Sequence, residues 1–214
     1  MAKRPHWSAS LKITIMVEGQ TERAFMPHLR EFLKNRLPDK TMPKLDPFPC
    51  DGRVYKGDKL LRTVEDLLRK GKAPSDAVIA LTDVYTGTND FTDAADAKQK
   101  MKTWVKHNPR FYPHAAQYDF EAWLLPYWSD IQKIAGHNKK APASHPESVN
   151  HGKPPSYHLI EIFRIGTCQR EYSKTRDANR ILQGKDLTVA AAKCPELKAF
   201  LNTILTLSGT DPLQ

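Results

Sequence analysis

The stretch Leu11-Lys12-Ile13-Thr14-Ile15-Met16-Val17-Glu18-Gly19 decides the fold. Its first seven residues are rich in β-branched side chains, which predicts a strand, and Glu18-Gly19 breaks that strand. The apolar residues that follow have the spacing of one face of an amphipathic helix: Phe25, Leu29, Phe32 and Leu33. A strand, a tight turn and a helix therefore open the predicted structure.

The same alternation continues along the chain. The apolar run Ala77–Thr82 is too short for a lone helix and predicts a strand buried on both faces. Phe111–Tyr118 predicts another strand, and Pro113 indicates that it lies at an edge of the sheet. A Pro-rich stretch from Leu37 to Pro49 predicts a loop with a short strand near its end.

Helices are predicted between these strands. Asp58 is the expected cap of one helix, whose apolar stripe begins at Leu60. A second helix is expected from about Asp93 to His107, and a short third one over Asp119–Leu125, stopped by Pro126. Strands that alternate with helices predict an α/β fold with a mostly parallel sheet.

Composition shifts divide the chain into four predicted parts. Residues 1–10 are expected to form a flexible arm and residues 11–135 an α/β core. Residues 136–156 are rich in Pro, His, Ser, Asn and Lys and predict a loop or linker. Residues 157–214 have a helical pattern and predict an appendage packed on the core, since so few residues could hardly bury a core alone.

Composition also narrows the class of protein. Of the 214 residues, 40% are hydrophobic and 27% charged, which excludes a wholly disordered chain. No apolar run approaches the roughly 18 residues of a membrane span, and the N-terminus does not have the pattern of a signal peptide. The 3 cysteines form no paired motif, so we expect no disulfide scaffold and a reducing, cytoplasmic setting.

The net charge is +9, from 33 Lys and Arg against 24 Asp and Glu. Such an excess favours a phosphate-bearing partner, nucleic acid above all, although many soluble proteins are also basic.

Carboxylates follow three of the predicted strands. Glu18 and Asp83 come directly after the first and third strands, and Asp119 and Glu121 follow the fourth. Because ligands of parallel sheets bind beyond the carboxyl ends of the strands, we expect these acids to share one edge. Hard oxygen ligands suit Mg²⁺ or Mn²⁺, and a metal so held can bind a phosphodiester and activate water. Singly, each acid could instead cap a helix or begin a turn.

Other groups could assist at that edge. Gly19 precedes a helix N-terminus whose N–H groups can hold an anion. Lys153, Lys174 and Arg176 are candidates for phosphate contacts, if they converge on the acids rather than remain solvated. Four aromatic residues could stack on bases or belong to the core: Tyr85, Trp123, Tyr127 and Trp128. The 8 histidines show no metal-binding spacing.

Met16-Val17-Glu18-Gly19-Gln20-Thr21-Glu22 resembles the opening motif of Toprim-like domains, which occur in topoisomerases, primases and overcoming-lysogenisation-defect (OLD) nucleases. The strings Ala80–Tyr85 and Gln117–Leu125 resemble the later motifs of a bacterial family related to them, domain-of-unknown-function family 4276. Tyr172-Ser173-Lys174 and Cys194-Pro195 resemble its C-terminal half. The resemblance covers nearly the whole chain and implies a Toprim-like fold with a helical appendage.

The resemblance also implies roles for particular residues. The glutamate of the first Toprim motif assists proton transfer or metal binding, and this role falls on Glu18. The second motif is usually Asp-x-Asp and binds Mg²⁺; here its first acid is Asp83 and Tyr85 stands at the second position. Glu121 or Asp119 is then expected to supply the missing ligand, unless the site is degenerate. Proteins of the related family are often associated with an ABC-type ATPase and with phage defence, so both are implied here.

Three functions follow from these residues. The first is a Mg²⁺-dependent nuclease acting on DNA or RNA, with Glu18 as general acid/base or ligand and with metal ligands Asp83, Glu121 and Asp119. The second is a non-catalytic module, a nucleic-acid-sensing or adaptor subunit of an ATPase, and Tyr85 is its best support. The third is a phosphatase of the haloacid-dehalogenase kind, because Asp83-Val84-Tyr85-Thr86 resembles the motif Asp-x-Asp-x-Thr. This stretch lacks the second Asp, and it follows the third predicted strand, whereas the motif normally ends the first.

Overall fold

A parallel sheet forms the centre of the computed structural model, which describes residues 10–71, 73–84, 90–148, 152–167 and 169–214. Its strands are β1 (Lys12–Val17), β2 (Lys44–Pro49), β3 (Ala77–Asp83) and β4 (Phe111–Ala116). They lie in the order β2-β1-β3-β4, and each neighbouring pair is parallel. The predicted α/β class with a parallel sheet is therefore confirmed, and Pro113 does lie on an edge strand.

Helices connect and follow the strands. Within the described residues they are α1 (Gln20–Arg36), α2 (Gly57–Arg69), α3 (Ala94–Trp104), α4 (Trp128–Ala135), α5 (Pro155–Ile165), α6 (Lys174–Leu182), α7 (Leu187–Ala191) and α8 (Pro195–Leu207). The first three separate successive strands, and the other five follow the sheet along the chain.

Alternate residues of the strands supply cores on the two faces of the sheet. Ile13, Ile15 and Val17 of β1 belong to the larger core, which also contains apolar residues of α1 and of the helices from α4 onward. Met16 belongs to the smaller core, together with residues of α2 and α3. Because α5 to α8 share a core with β1 and α1, the C-terminal helices pack directly on the sheet.

Two local predictions were wrong. Asp58 is not the cap of α2: it lies in the first turn, and Lys56 with its extended backbone is the N-cap residue. Pro126 does not stop the third helix, because it occupies the first turn of the 3₁₀ segment Leu125–Tyr127, and α4 follows at once. Proline is tolerated in a first turn, where its missing N–H has no partner to lose.

Two glycines let the ends of α4 and α5 approach closely. Gly136 ends α4 with φ 68°, and its carbonyl accepts from the N–H of Thr167 at 3.2 Å. At Gly166, a Cβ would overlap the carbonyl oxygen of Ala135 and lie 2.8 Å from its carbonyl carbon. This joint holds the C-terminal ends of α4 and α5 together.

We expect Gly166→Ala to lower the free energy of unfolding by about 2–3 kcal/mol, because the new methyl group overlaps backbone atoms. Urea denaturation measures the change. Gly184→Ala is the control, since its φ of 66° carries strain but no atom lies within 4 Å of an added Cβ; we expect it to cost only about 1 kcal/mol. Equal losses for the two variants would show that the joint is not tightly packed.

Candidate active site

Carboxylates from three strand ends meet at the carboxyl edge of the sheet. Glu18 follows β1, Asp83 ends β3, and Asp119 and Glu121 follow β4. Glu18, Asp119 and Glu121 are only 8%, 4% and 0% exposed. Buried carboxylates are costly unless they are paired, so an edge built this way needs compensating positive charge.

A cleft of about 380 Å³ opens at this edge. Glu18, Glu22, Asp83 and Lys174 contribute its charged side chains, and Gly19 lies between the first two in its wall. The structure therefore brings Glu18 and Asp83 together from separate strands and places Lys174 beside them.

Glu18 is held by the neighbouring strand. The hydroxyl of Thr82, the penultimate residue of β3, donates a hydrogen bond to Glu18 Oε1. Burial raises the pKa of Glu18 to about 7, the charge of Glu22 adds to this, and the Thr82 hydrogen bond opposes it. A carboxyl group with this pKa can both accept and donate a proton near neutral pH.

Glu22 is a site residue that the sequence analysis missed. It lies in the first turn of α1, and its Oε2 accepts from the N–H of Gly19 at 3.0 Å. Burial raises the pKa of its carboxyl group, with Lys174 opposing. The signal in the sequence was its spacing of four residues from Glu18, which places both carboxylates around the same helix start.

Asp83 is surrounded by like charges. Its pKa is raised well above the ordinary value, first by burial and then by the charges of Glu22, Glu18, Asp119 and Glu121. Electrostatic repulsion from both sides of the strand end therefore reaches this one carboxylate, which makes Asp83 the centre of the acidic group.

Asp119 and Glu121 form the inner part of the site. The N–H of Ser156 donates to Asp119 Oδ2 at 3.1 Å, and Glu121 Oε1 lies 3.4 Å from both the Tyr172 hydroxyl and Lys174 Nζ. Burial raises the pKa of both carboxyl groups, that of Glu121 to about 7 with Asp119 adding to the effect. Asp119 Oδ1 and Glu121 Oε2 are buried without a hydrogen-bond partner among the described residues.

Lys174 brings a positive charge close to these acids. It begins α6, and its side chain is half-exposed at the mouth of the cleft. Burial lowers the pKa of its ammonium group, but the carboxylates of Glu121, Asp83 and Asp119 outweigh that effect and raise it. Lys174 alone cannot neutralise the acids, because several carboxylates share its single charge.

Of the other predicted phosphate contacts, Lys153 and Arg176 do not line the cleft. Lys153 Nζ lies 5.3 Å from the centre of the Tyr157 ring. Arg176 pairs with the buried Asp177, at 3.2 Å from Nε to Oδ1. Gly19 lines the cleft, but its N–H donates to Glu22. The structure thus places only Lys174 and Gly19, of these candidates, beside the acids.

The predicted stacking residues are mostly interior. Trp123, Tyr127 and Trp128 are 1%, 5% and 7% exposed and belong to the larger core. They are therefore unavailable to bases, because their rings pack against other side chains. Tyr85, the second-motif position, lies outside the described residues.

The donor set suits a hard divalent cation, but it is not preassembled. Within the described ranges, no three Asp, Glu, His or Cys side chains stand in an arrangement that could hold a metal ion. The buried oxygens Asp119 Oδ1 and Glu121 Oε2 nevertheless have no partner in this part of the chain. Mg²⁺ is usually bound by one or two carboxylates completed by waters and substrate phosphates. The residues fit such an open site and do not form a closed one.

The fold and this edge together define a parallel α/β protein with a carboxylate cleft beyond its strand ends. The family model described as "Domain of unknown function (DUF4276)" matches residues 17–205. The chain belongs to this family, as its motifs indicated. No curated protein sequence matches the chain significantly.

Two solved structures are similar to this chain. The C-terminal region of the Burkholderia pseudomallei OLD protein aligns with TM-score 0.52 and 14% identity, over 94% of this chain and 100% of that chain. The C-terminal region of the Xanthomonas campestris pv. campestris OLD protein aligns with TM-score 0.46 and 13% identity, over 94% and 97% of the two chains. At this level of identity the Burkholderia structure supports the fold alone, and it confirms the expected relation in architecture to OLD proteins.

None of the helices in the described residues has the length and apolar character needed to cross a membrane.

The raised pKa values predict how stability depends on pH without metal. Glu18 and Glu121 titrate near pH 7 in the folded chain and near 4.5 in the unfolded chain. Between these values the folded state binds more protons, so these groups lower the free energy of unfolding as the pH rises through 7. In EDTA, Glu121→Gln changes the free energy of unfolding relative to wild type. We expect this change to be more stabilising at pH 8 than at pH 4.5, by on the order of 1–3 kcal/mol.

Urea denaturation at the two pH values measures this difference. Glu31→Gln is the matched control, because Glu31 is exposed on the outer side of α1, and we expect no pH-dependent change for it. If Glu121→Gln shifts stability equally at both pH values, folding does not raise the pKa of Glu121.

Proposed function

We propose that the protein is a divalent-metal-dependent, Toprim-like nuclease that hydrolyses phosphodiesters of DNA or RNA. The observation that carries the proposal is the meeting of Glu18, Glu22 and Asp83 in one cleft, with unpartnered oxygens of Asp119 and Glu121 at the same strand ends. The net charge of +9 supports a polyanionic substrate, although the cleft itself is acidic. A cation must therefore accompany the phosphate there.

Asp83, Glu121 and Asp119 are the residues that would hold Mg²⁺ or Mn²⁺, and Glu22 is a fourth candidate. When bound, the ion supplies positive charge to the phosphodiester and lowers the pKa of water. Glu121 is well placed because its Oε1 lies near Lys174 while Oε2 remains unpartnered in the described part of the chain.

Glu18 is proposed as the general acid/base. Its pKa of about 7 matches proton exchange at neutral pH, and the Thr82 hydroxyl fixes its Oε1. Hydrolysis forms a bond from a water oxygen to phosphorus and breaks the bond from phosphorus to the leaving oxygen. Glu18 exchanges a proton with one of these oxygens, and Lys174 at the mouth of the cleft attracts the phosphate.

Activity assays test these roles. With Mg²⁺ or Mn²⁺, we expect cleavage of fluorescent DNA or RNA that EDTA abolishes, and Glu18→Gln and Asp83→Asn should each reduce the rate at least about 100-fold. Glu31→Gln and Asp58→Asn are the controls, since both acids are exposed away from the cleft lining, and they should retain the wild-type rate. Cleavage that survives Glu18→Gln and Asp83→Asn would contradict the proposal.

Metal binding can be tested without activity. Mn²⁺ at about 100 times its dissociation constant should raise the melting temperature by roughly 5–10 °C, because it binds the folded chain. Glu121→Gln and Asp119→Asn should reduce this rise, and Asp58→Asn should leave it unchanged. A rise that these two site variants do not alter would place the metal elsewhere.

A second candidate function is a non-catalytic nucleic-acid-sensing or adaptor subunit of an ABC-type ATPase. The lack of a preassembled three-residue metal cluster in the described ranges favours it, as does Tyr85 at the second acid position. Nucleic-acid binding without metal binding or cleavage would support this function over the nuclease. A role in phage defence and the ATPase partner both rest on the resemblance of the motifs and remain predictions.

A further inference from the structure

A groove on the β2–α2 side of the molecule adjoins the acidic cleft. Next to the cleft lies a depression of about 620 Å³ formed by residues 50–56 and Lys59, and the two depressions share Gly52. A third depression, of about 610 Å³, lies along β2 and α2 and shares Tyr55 and Lys59 with the second. We call the second and third depressions together the β2–α2 groove.

Backbone hydrogen bonds join the loop between β2 and α2 to the end of β1. The N–H of Gly52 donates to the carbonyl of Glu18 at 2.7 Å, and the N–H of Cys50 donates to the carbonyl of Val17 at 2.9 Å. The loop between β2 and α2 therefore lines the cleft at Gly52 and also lines the groove.

The groove and the cleft have opposite charge. The cations that line the groove are Lys12, Arg53, Lys56, Lys59 and Lys70. The acids that line it are Asp46, Asp51 and Asp66. The cleft, in contrast, has three acids beside Lys174. Three of these lysines are ion-paired: Lys12 with Asp46, Lys70 with Asp66, and Lys56 with Asp90. The lining still holds two more cations than acids, so its charge favours a polyanion, which needs a cation only where it enters the cleft.

An aromatic side chain stands where the two depressions of the groove join. Lys59 Nζ lies 3.7 Å from the centre of the Tyr55 ring, and Phe48 meets that ring edge-on with centroids 6.4 Å apart. Cations that follow a backbone, combined with an aromatic ring for bases, are what proteins use to bind single-stranded nucleic acid. A duplex keeps its bases stacked inside and offers none to Tyr55.

From these observations we infer that the β2–α2 groove binds a single strand of nucleic acid and leads it into the cleft. The inference deepens the proposed function and rests on it for the role of the cleft. Each depression lies within the volume range of a small-molecule pocket, about 300–1,000 Å³, which suits one or a few nucleotides. The strand's phosphates contact Lys59 and also Lys56, which exchanges its ion pair with Asp90 for a phosphate, and a base stacks at Tyr55.

Fluorescence anisotropy of the full chain in EDTA tests the groove. The probes are labelled 12-nucleotide DNA and RNA single strands, a blunt DNA duplex and polyglutamate. We expect Lys56→Glu with Lys59→Glu to weaken single-strand binding at least about 10-fold and to reduce the salt slope by about 1.4. The control, Lys102→Glu with Lys133→Glu, makes the same charge change at exposed lysines outside the groove and should have little effect.

Tyr55 variants separate stacking from charge. Tyr55→Leu should weaken single-strand binding about 10-fold without changing the salt slope, and Tyr55→Phe should retain the affinity, since both rings stack. Thermal melting verifies that each variant is folded. Equal loss for groove and control charge reversals would overturn the inference, as would equal affinity for duplex or polyglutamate.

Hydrolysis of bis(4-nitrophenyl) phosphate keeps this inference distinct from the proposed function. This small diester can enter the cleft without lying in the groove, so its hydrolysis by the wild-type chain with Mg²⁺ or Mn²⁺ reports on the cleft alone. If the diester is hydrolysed but the groove variants bind single strands as tightly as wild type, the inference about the groove is wrong and the proposed nuclease function stands. If the groove variants lose single-strand binding but the diester is not hydrolysed, the proposed nuclease function is wrong and the inference about the groove stands.

Discussion

The parallel pairing of β1, β3 and β4 is the constraint on which the rest of the structure depends. Met16 and Val17 lie beside Ala80 and Leu81, and Asp83 lies beside Ala116. Because all these strands run the same way, the residues that follow them leave the sheet at one edge. A shift of one residue in register would turn Glu18 or Asp83 to the opposite face, since side chains alternate along a strand. The apolar cores on both faces prevent that shift.

This arrangement concentrates negative charge where little water reaches it. Burial is the largest cause of the raised pKa values of Glu18, Asp83 and Glu121, and neighbouring carboxylates add to it. Only Lys174 meets the group directly among the charged residues that line the cleft. A sequence selected for stability alone would replace some of these acids, because apolar or amide side chains there are less costly. Their presence is consistent with a bound cation that repays the folding cost.

The sequence predicted much of the fold because its signals are local. The β-branched run before Glu18 and the apolar run Ala77–Thr82 each specify a strand without reference to distant residues. Strand ends then predicted which acids share an edge. Glu22 escaped this reasoning because an acid in the first turn of a helix is ordinary, and only the fold turns it into the cleft. Asp58 looked like a cap for the same reason, although the backbone begins the helix one residue before it.

The β2–α2 groove could not be predicted, because its residues come from separate segments that the pairing of β1 with β2 brings together. Lys12 begins β1, Tyr55 lies in a loop and Lys59 is on α2. Periodicity identifies none of them, since each looks like an ordinary surface residue. The fold thus places a cluster of basic side chains beside the acidic cleft, which composition alone does not show. In the function proposed above, attraction of a polyanion and coordination of a cation therefore fall to adjacent surfaces, so that one small sheet can accommodate both without the charges cancelling.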